Sequence, residues 1–151
     1  MGAVIFDTIS KKSVMFGSTV CLQLVNDWKS EGKVQVIGQA ELLPTYLARL
    51  SVPHLLRHRR VIFFVDNDSA RMALVKGWSP SPGSNRIIEA SVEHEASGSY
   101  WPWYCRVPSP SNPGDGPSRL RLKPHAENLF SSLVATPTVP SSVFAPDKLQ
   151  G

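Results

Sequence analysis

The sequence predicts an α/β domain with a mixed β-sheet flanked by helices, and three observations support this fold class. Residues 2–7 and 13–16 are apolar stretches on either side of a Lys-Lys turn, as in a β-hairpin. Arg60–Val65 is a β-branched and aromatic run, short enough for a buried central strand. Apolar residues at helical spacing precede and follow this run, which places helices between the strands.

The segment between the hairpin and the central strand contains one ambiguous stretch and one helix. Residues 20–28 mix apolar and polar side chains and fit a strand or a short helix equally well. Apolar residues between Ala40 and Leu50 recur at helical spacing and predict a helix. Pro44 lacks an N–H group and is comfortable only in a first helical turn. Glu41 is therefore expected near the N-terminus of this helix, unless the helix is kinked.

The residues after the central strand predict two helices, a further strand and a short helix. Asn67, Asp68 and Ser69 offer N-cap side chains, and we assign the capping role to Asp68. Gly77 ends this helix. Pro102 favours an edge position or a bulge for the strand that contains it. The later elements are a helix at 85–96, a strand at 100–107 and a short helix near 117–122.

The composition changes after residue 122. Proline, serine and threonine dominate residues 123–151, and few apolar residues recur periodically. Such a segment buries too little apolar surface to fold alone, so we predict a disordered C-terminal tail in which only 139–144 could dock. Residues 1–122 are predicted to form one domain, because a chain of this length can bury a sizeable core.

Membrane and disulfide-rich protein classes are not supported by the sequence. The longest apolar stretch is too short to cross a bilayer, and the N-terminus lacks a signal-peptide pattern. Cys21 and Cys105 form neither a disulfide framework nor a CxxC pair. We predict two free thiols in a reducing compartment, with a single disulfide as the alternative. The expected location is intracellular, either cytoplasmic or nuclear.

The chain carries a formal net charge of +4, and its basic residues lie in two groups around acidic residues. Taken alone, these charges are most simply a solvated surface. Their position around carboxylates favours a polyanionic partner whose phosphates approach a metal site. The first group comprises Arg49, Arg57, Arg59, Arg60, Arg71, Lys76, His54 and His58, and the second comprises Arg106, Arg119, Arg121 and Lys123.

Three aromatic residues follow one another closely in the last predicted strand, at Trp101, Trp103 and Tyr104. Aromatic residues on a strand are most often part of the core, and that is the expectation here. The alternative is that they stack on nucleic-acid bases.

Three acidic residues lie in distinct contexts that can converge on divalent metal. Glu41 lies on a predicted helix, Asp66 ends the central strand, and Asp115 lies in an Asn-Pro-Gly-Asp turn. Carboxylate oxygens are the ligands that Mg²⁺ prefers, and such a set suits two-metal hydrolysis of a phosphodiester. Each residue alone also has an ordinary explanation, as a helix-terminal acid, a cap or a turn residue.

These motifs, in this order, resemble the ribonuclease H domain of retroelement reverse transcriptases, most closely that of DIRS-type (tyrosine-recombinase) retrotransposons and related pararetroviral polymerases. Glu41, Asp66 and Asp115 match the second, third and fourth acids of the family. The resemblance covers roughly residues 2–122. The matched residues are Ala40-Glu41-Leu42-Leu43, Val65-Asp66-Asn67 with Ala70 and Ala73, and Pro108, Asn112, Asp115, Ser118 and Arg119.

The first catalytic aspartate of the family has no clear counterpart. Gly2-Ala3-Val4 resembles the second strand of the family, so the favoured alignment is an N-terminally truncated ribonuclease H-like fold without the first strand and its aspartate. In the alternative alignment, residues 2–7 are the first strand and Asp7 is the first acid. The family's flexible-loop histidine is also unmatched, because His94 lies upstream in a predicted helix.

The resemblance implies Mg²⁺-dependent (or Mn²⁺-dependent) endonucleolytic hydrolysis of the RNA strand of RNA–DNA hybrids, in a domain that was originally part of a reverse transcriptase polyprotein. It makes Glu41, Asp66 and Asp115 the catalytic residues and the ligands of a two-metal site. Without the first aspartate, we expect hydrolysis to be very slow. A non-catalytic nucleic-acid-binding or scaffold module that retains the fold is the alternative. The expected nucleic-acid-binding residues are Asn67, Arg71, Ser118 and Arg119.

Overall fold

The computed structural model describes residues 1–32, 36–122 and 131–146. It has a mixed α/β architecture, which confirms the predicted class: helices pack against two small β-sheets. The strands are β1 (Gly2–Asp7), β2 (Lys12–Gly17), β3 (Arg60–Val65), β4 (Trp101–Arg106) and β5 (Ser131–Leu133). The helices are α1 (Leu22–Ser30), α2 (Ile37–Ser51), α3 (Pro53–Leu56), α4 (Asp68–Lys76), α5 (Pro82–Gly98) and the single turn α6 (Asp115–Ser118).

The first sheet contains the predicted hairpin. β1 and β2 pair antiparallel, with Gly2 opposite Gly17 and Asp7 opposite Lys12. β5 then pairs parallel to β2 on its other side. The ambiguous stretch after the hairpin is a helix, α1, whose Leu24 and Trp28 are fully buried. The two buried residues are four positions apart, which is the spacing of one helix face, so the stretch forms a helix rather than a strand.

The second sheet contains β3 and β4, which pair parallel with Arg60 opposite Trp101 and Val65 opposite Arg106. The connection between them runs through α4 and α5, as parallel strands require a long crossover. Alternate residues of β3 point into the core, where the Phe63 ring stacks on the Tyr104 ring with 5.6 Å between centroids. Pro102 is tolerated because β4 pairs only with β3 among the described strands.

The main core forms where α1, α2, α4 and α5 pack together with residues of both sheets. Leu43 and Leu47 of α2 are fully buried, as the helical spacing predicts. Pro44 lies inside α2, beyond its first turn, which differs from the expected position. The helix begins at Ile37, so Glu41 occupies its second turn. Buried neighbours on both sides hold the helix together despite the N–H group that proline lacks.

The caps of α4 differ from the assignment made from the sequence. Asn67 is the N-cap, and its Oδ1 accepts a hydrogen bond of 2.9 Å from the N–H of Ala70. Asp68 instead lies in the first turn and forms an ion pair with Arg71, with 2.8 Å between Oδ1 and Nη2. Gly77 ends the helix with a φ of 67°, a conformation that costs glycine little.

The described part of the predicted tail packs on the domain. β5 extends the first sheet, and Val143 is fully buried in the main core. The carbonyl of Val143 accepts a hydrogen bond of 3.0 Å from Nε of Arg86 on α5. Residues 131–146 therefore belong with the domain rather than outside it, whereas 123–130 and 147–151 lie outside the described residues. As predicted, residues 139–144 dock on the domain. Their apolar side chains pack in the main core.

Two further properties follow from the described ranges. No helix within them is long and apolar enough to cross a membrane. Cys21 is exposed, Cys105 is half-buried, and both are free thiols.

Candidate functional site

Asp66 and Glu41 interact electrostatically near the C-terminal end of β3. Asp66 follows the last residue of that strand, and Glu41 lies in the second turn of α2. Partial burial raises the pKa of Glu41, and the negative charge of Asp66 raises it further. The N-terminal ammonium group of Met1 opposes this shift. Two of the three predicted acids therefore share one electrostatic environment.

The turn that contains Asp115 reaches the same end of β3 through Asn112. Nδ2 of Asn112 donates a hydrogen bond of 3.0 Å to Oδ2 of Asp66. Its Oδ1 accepts a hydrogen bond of 2.9 Å from the N–H of Gly114, which holds the turn in shape. Asn112 was not among the predicted site residues. Its place in the Asn-x-x-Asp spacing, three residues before a predicted ligand, is the signal that pointed to it.

Two glycines of the hairpin make room for this turn. Gly2 and Gly17 are paired across β1 and β2, and the backbone of Pro117 lies directly on both. A Cβ atom on Gly17 would stand 2.2 Å from the carbonyl oxygen of Pro117. The ammonium group of Met1 donates hydrogen bonds to the carbonyls of Ser18 and Ser118, at 2.9 and 3.4 Å. The start of β1 therefore anchors the turn beside Glu41.

Asp115 forms ion pairs with two arginines and is not grouped with the other two acids among the described residues. Its Oδ1 accepts a hydrogen bond of 2.9 Å from Nε of Arg119, and its Oδ2 lies 3.8 Å from Nη2 of Arg121. Across the part of the chain that the structure describes, no three His, Cys, Asp or Glu side chains are grouped to hold a metal ion. Glu41 and Asp66 are thus electrostatically coupled, and Asp115 does not complete the predicted set.

The chemistry of the donors fits one divalent cation better than two. Glu41 and Asp66 are oxygen donors whose mutual repulsion a cation would relieve, and Mg²⁺ retains several waters when it binds to one or two carboxylates. A two-metal site needs additional bridging carboxylates. In this structure, Asp115 would have to exchange its arginine partners to supply one.

The predicted nucleic-acid-binding residues are all engaged within the protein. Asn67 caps α4, and Arg71 contacts Asp68 through both Nε and Nη2. The hydroxyl of Ser118 donates a hydrogen bond of 2.8 Å to the carbonyl of Asp115, and Arg119 pairs with the side chain of Asp115. The pairs of Arg71 and Arg119 are solvent-exposed, so a phosphate can compete for either guanidinium at little cost.

Asp7 lies far from Glu41 and Asp66. Its carboxylate accepts hydrogen bonds from the N–H groups of Ile9 and Ser10, and it pairs with Arg59, with 2.7 Å between Oδ1 and Nη1. Hydrogen bonds from Ser10 and Ile9, together with Arg59, hold the pKa of Asp7 well below its usual range. Arg59 precedes β3 and Asp66 follows it, so roughly 20 Å of strand separates the two sites. Asp7 therefore shapes the hairpin turn, and its partners there are Ile9, Ser10 and Arg59.

Glu41→Gln is expected to stabilise the protein at neutral pH. Folding raises the pKa of Glu41 above the unfolded value of about 4.3, so the folded state holds this proton more tightly than the unfolded state. The contribution of Glu41 to stability therefore falls as pH rises between the unfolded and folded pKa values. The glutamine variant does not titrate and so does not lose this stability as pH rises. Urea unfolding at several pH values measures the free energy of unfolding of both proteins.

Glu89→Gln is the matched control for this prediction, because it makes the same chemical change on the exposed surface of α5. A Glu41→Gln variant less stable than wild type at pH 7 would show that the carboxylate makes favourable contacts when ionised.

Comparisons of this chain with protein-family models, with curated proteins and with solved structures find no match.

Proposed function

We propose that this chain is a ribonuclease H-like domain of retroelement origin that binds RNA–DNA hybrids, with Mg²⁺-dependent hydrolysis of the RNA strand as its reaction. One observation carries the proposal. Two of the three motifs are joined by a hydrogen bond from Asn112 to Asp66, and the charge of Asp66 contributes to the raised pKa of Glu41 in the other motif. The order of the elements, with a hairpin before α2 and β3, agrees with the resemblance.

The division of the strands into two sheets supports the truncated alignment. β1 pairs with β2 only, and β3 pairs with β4 only, among the strands that the structure describes. Within the described ranges, one edge of β1 and one edge of β3 therefore have no strand partner. A further strand paired with β3 would end beside Asp66, where the truncated alignment expects the first aspartate.

Glu41 and Asp66 are the residues that would hold a divalent cation in this function. When bound, the cation supplies positive charge to phosphate oxygens and lowers the pKa of a coordinated water. Asn112 keeps the Asp66 carboxylate in one orientation through its amide, which is a positioning role. Arg119 and Arg121 bring positive charge to the same turn and suit the phosphates of a polyanion.

The second candidate function is a nucleic-acid-binding module without hydrolysis. The observation that favours it is the pairing of Asp115 with Arg119 and Arg121, which keeps the third carboxylate away from Glu41 and Asp66. In such a module the basic turn contacts phosphates and no metal is required.

Hydrolysis of a labelled RNA–DNA hybrid in Mg²⁺ or Mn²⁺ separates these functions. Asp66→Asn is expected to lower the cleavage rate at least about 100-fold, because metal and reacting groups lose their position together. Asp68→Asn is the matched control: it changes a neighbouring aspartate that pairs with Arg71 on the surface, and it should cleave like wild type.

Three other outcomes would argue against hydrolysis at this site. Salt-sensitive hybrid binding without cleavage by the wild type assigns the binding module. Cleavage that survives in Asp66→Asn, or the absence of any hybrid binding, overturns the proposed function.

A further inference from the structure

The outer face of the second sheet is an uncovered apolar surface. Its strand residues alternate with those that enter the core, and four of them are large apolar side chains that are more than half exposed. The exposed fractions are 56% for Ile62, 61% for Phe64, 63% for Trp101 and 69% for Trp103. We call this surface the aromatic face. Contiguous apolar surface of this kind marks a binding site rather than ordinary surface.

The tryptophans are therefore not core residues, although that was the expectation from the sequence. Strand alternation explains the difference. Tyr104 points inward and stacks on Phe63. Because side chains alternate along a strand, Trp103 and Trp101 both point outward. Side chains two residues apart on a strand are separated by roughly 6.6 Å, which lets neighbouring rings take separate bases of a splayed strand.

The charges around the aromatic face suit a polyanion. Arg60 lines an open groove of about 460 Å³ together with Trp101, Pro102 and Trp103. Arg57 is exposed three residues before Arg60, at the same end of the sheet. No Asp or Glu occurs within β3 or β4. The face thus combines stacking surfaces with cations at one end, and β3 and β4 contribute no carboxylate to it.

We propose that the aromatic face binds single-stranded nucleic acid. Trp101 and Trp103 stack on unpaired bases, and Arg60 contacts the phosphate backbone, so that the strand runs along β4. Base–aromatic stacking tolerates any base, which makes the expected binding independent of sequence. Asp66 follows β3 two residues beyond Phe64, at one end of this face, and the inference does not depend on the proposed hydrolysis.

Binding of an oligothymidylate of about 12 nucleotides tests the inference. Quenching of tryptophan fluorescence and the change of affinity with salt are measured together. Trp101→Ala and Trp103→Ala are each expected to lower the affinity roughly 5- to 100-fold. Trp78→Ala is the matched control, because Trp78 is also exposed but follows α4 outside this face, and its affinity should equal that of wild type.

Further variants keep the test decisive. Trp103→Thr, which retains a good strand former, replaces Trp103→Ala if that variant unfolds. Arg60→Ala should reduce the salt dependence of binding, since it removes a phosphate contact. The oligothymidylate contains no RNA strand, so its binding is measured without hydrolysis, and a failure of hydrolysis and a failure of stacking are told apart.

Three results would overturn the inference. The first is no measurable binding of the oligothymidylate by wild type. The second is equal binding by wild type and both tryptophan variants. The third is a wild-type dimer, seen by sedimentation, that Trp103→Ala dissociates, because the aromatic face would then be an interface between copies of this chain.

Discussion

Arg49→Ala is expected to lower the free energy of unfolding by about 3–5 kcal/mol, the usual consequence of removing one partner of a buried ion pair. Arg49 is fully buried on α2. Its Nη2 donates hydrogen bonds to Oε1 of Glu95 and to the hydroxyl of Tyr104, at 2.5 and 2.6 Å, and Nη1 donates one of 2.7 Å to the carbonyl of Thr45. Its guanidinium lies 4.0 Å from the centroid of the Phe63 ring.

The loss is large because the neighbours of Arg49 cannot readily return to water. Glu95 would keep its negative charge in a largely buried position, where the hydroxyl of Tyr104 still donates a hydrogen bond to it. Burial already raises the pKa of Tyr104 far above its usual value, so this hydroxyl stays protonated and donates. The free energy of unfolding in urea measures the effect.

Two further variants show whether the buried charge causes the loss. Arg71→Ala removes an arginine from the surface pair with Asp68 and should change stability by about 0.5 kcal/mol or less. The double replacement Arg49→Met with Glu95→Leu should recover most of the loss, because an apolar pair leaves no buried charge. A double variant as unstable as Arg49→Ala would show that packing around the arginine, rather than charge, is what matters.

Gly17→Ala is expected to destabilise the protein by about 2–3 kcal/mol and to displace the turn that holds Asn112. The added Cβ would meet the carbonyl oxygen of Pro117 at 2.2 Å and the side chain of Leu122 at 2.8 Å. A backbone atom cannot move aside as a side chain can, so the cost lies at the upper end of the usual range for overpacking. Urea unfolding measures it, and the amide resonance of Asn112 reports the displacement.

Gly38→Ala is the matched control, because a Cβ at this position meets nothing within 4 Å and the residue lies in the first turn of α2. It should leave stability unchanged or raise it by up to about 1 kcal/mol. If Gly17→Ala is as stable as wild type and the Asn112 resonance is unmoved, the turn does not rest on the hairpin as described.

Much of the local structure could be predicted from residue type and spacing. The β-branched run of β3, the hairpin and the end of α4 at Gly77 all follow from propensities that act over a few residues. The same holds for Asp66, which directly follows the last residue of β3. Errors arose where neighbours compete: Asn67 and Asp68 can both cap α4, and only the backbone geometry selects Asn67.

The sequence by itself determined the α/β class, the strands β1 to β4 and the proximity of Asp66 to a helix N-terminus, because these depend on short-range periodicity and capping. Only the tertiary structure decided that Asn112 reaches Asp66, that Asp115 pairs with arginines, and that the tryptophans of β4 face outward. These outcomes depend on contacts between residues tens of positions apart. Such contacts are set by strand register and by the packing of one element on another, which no local pattern encodes.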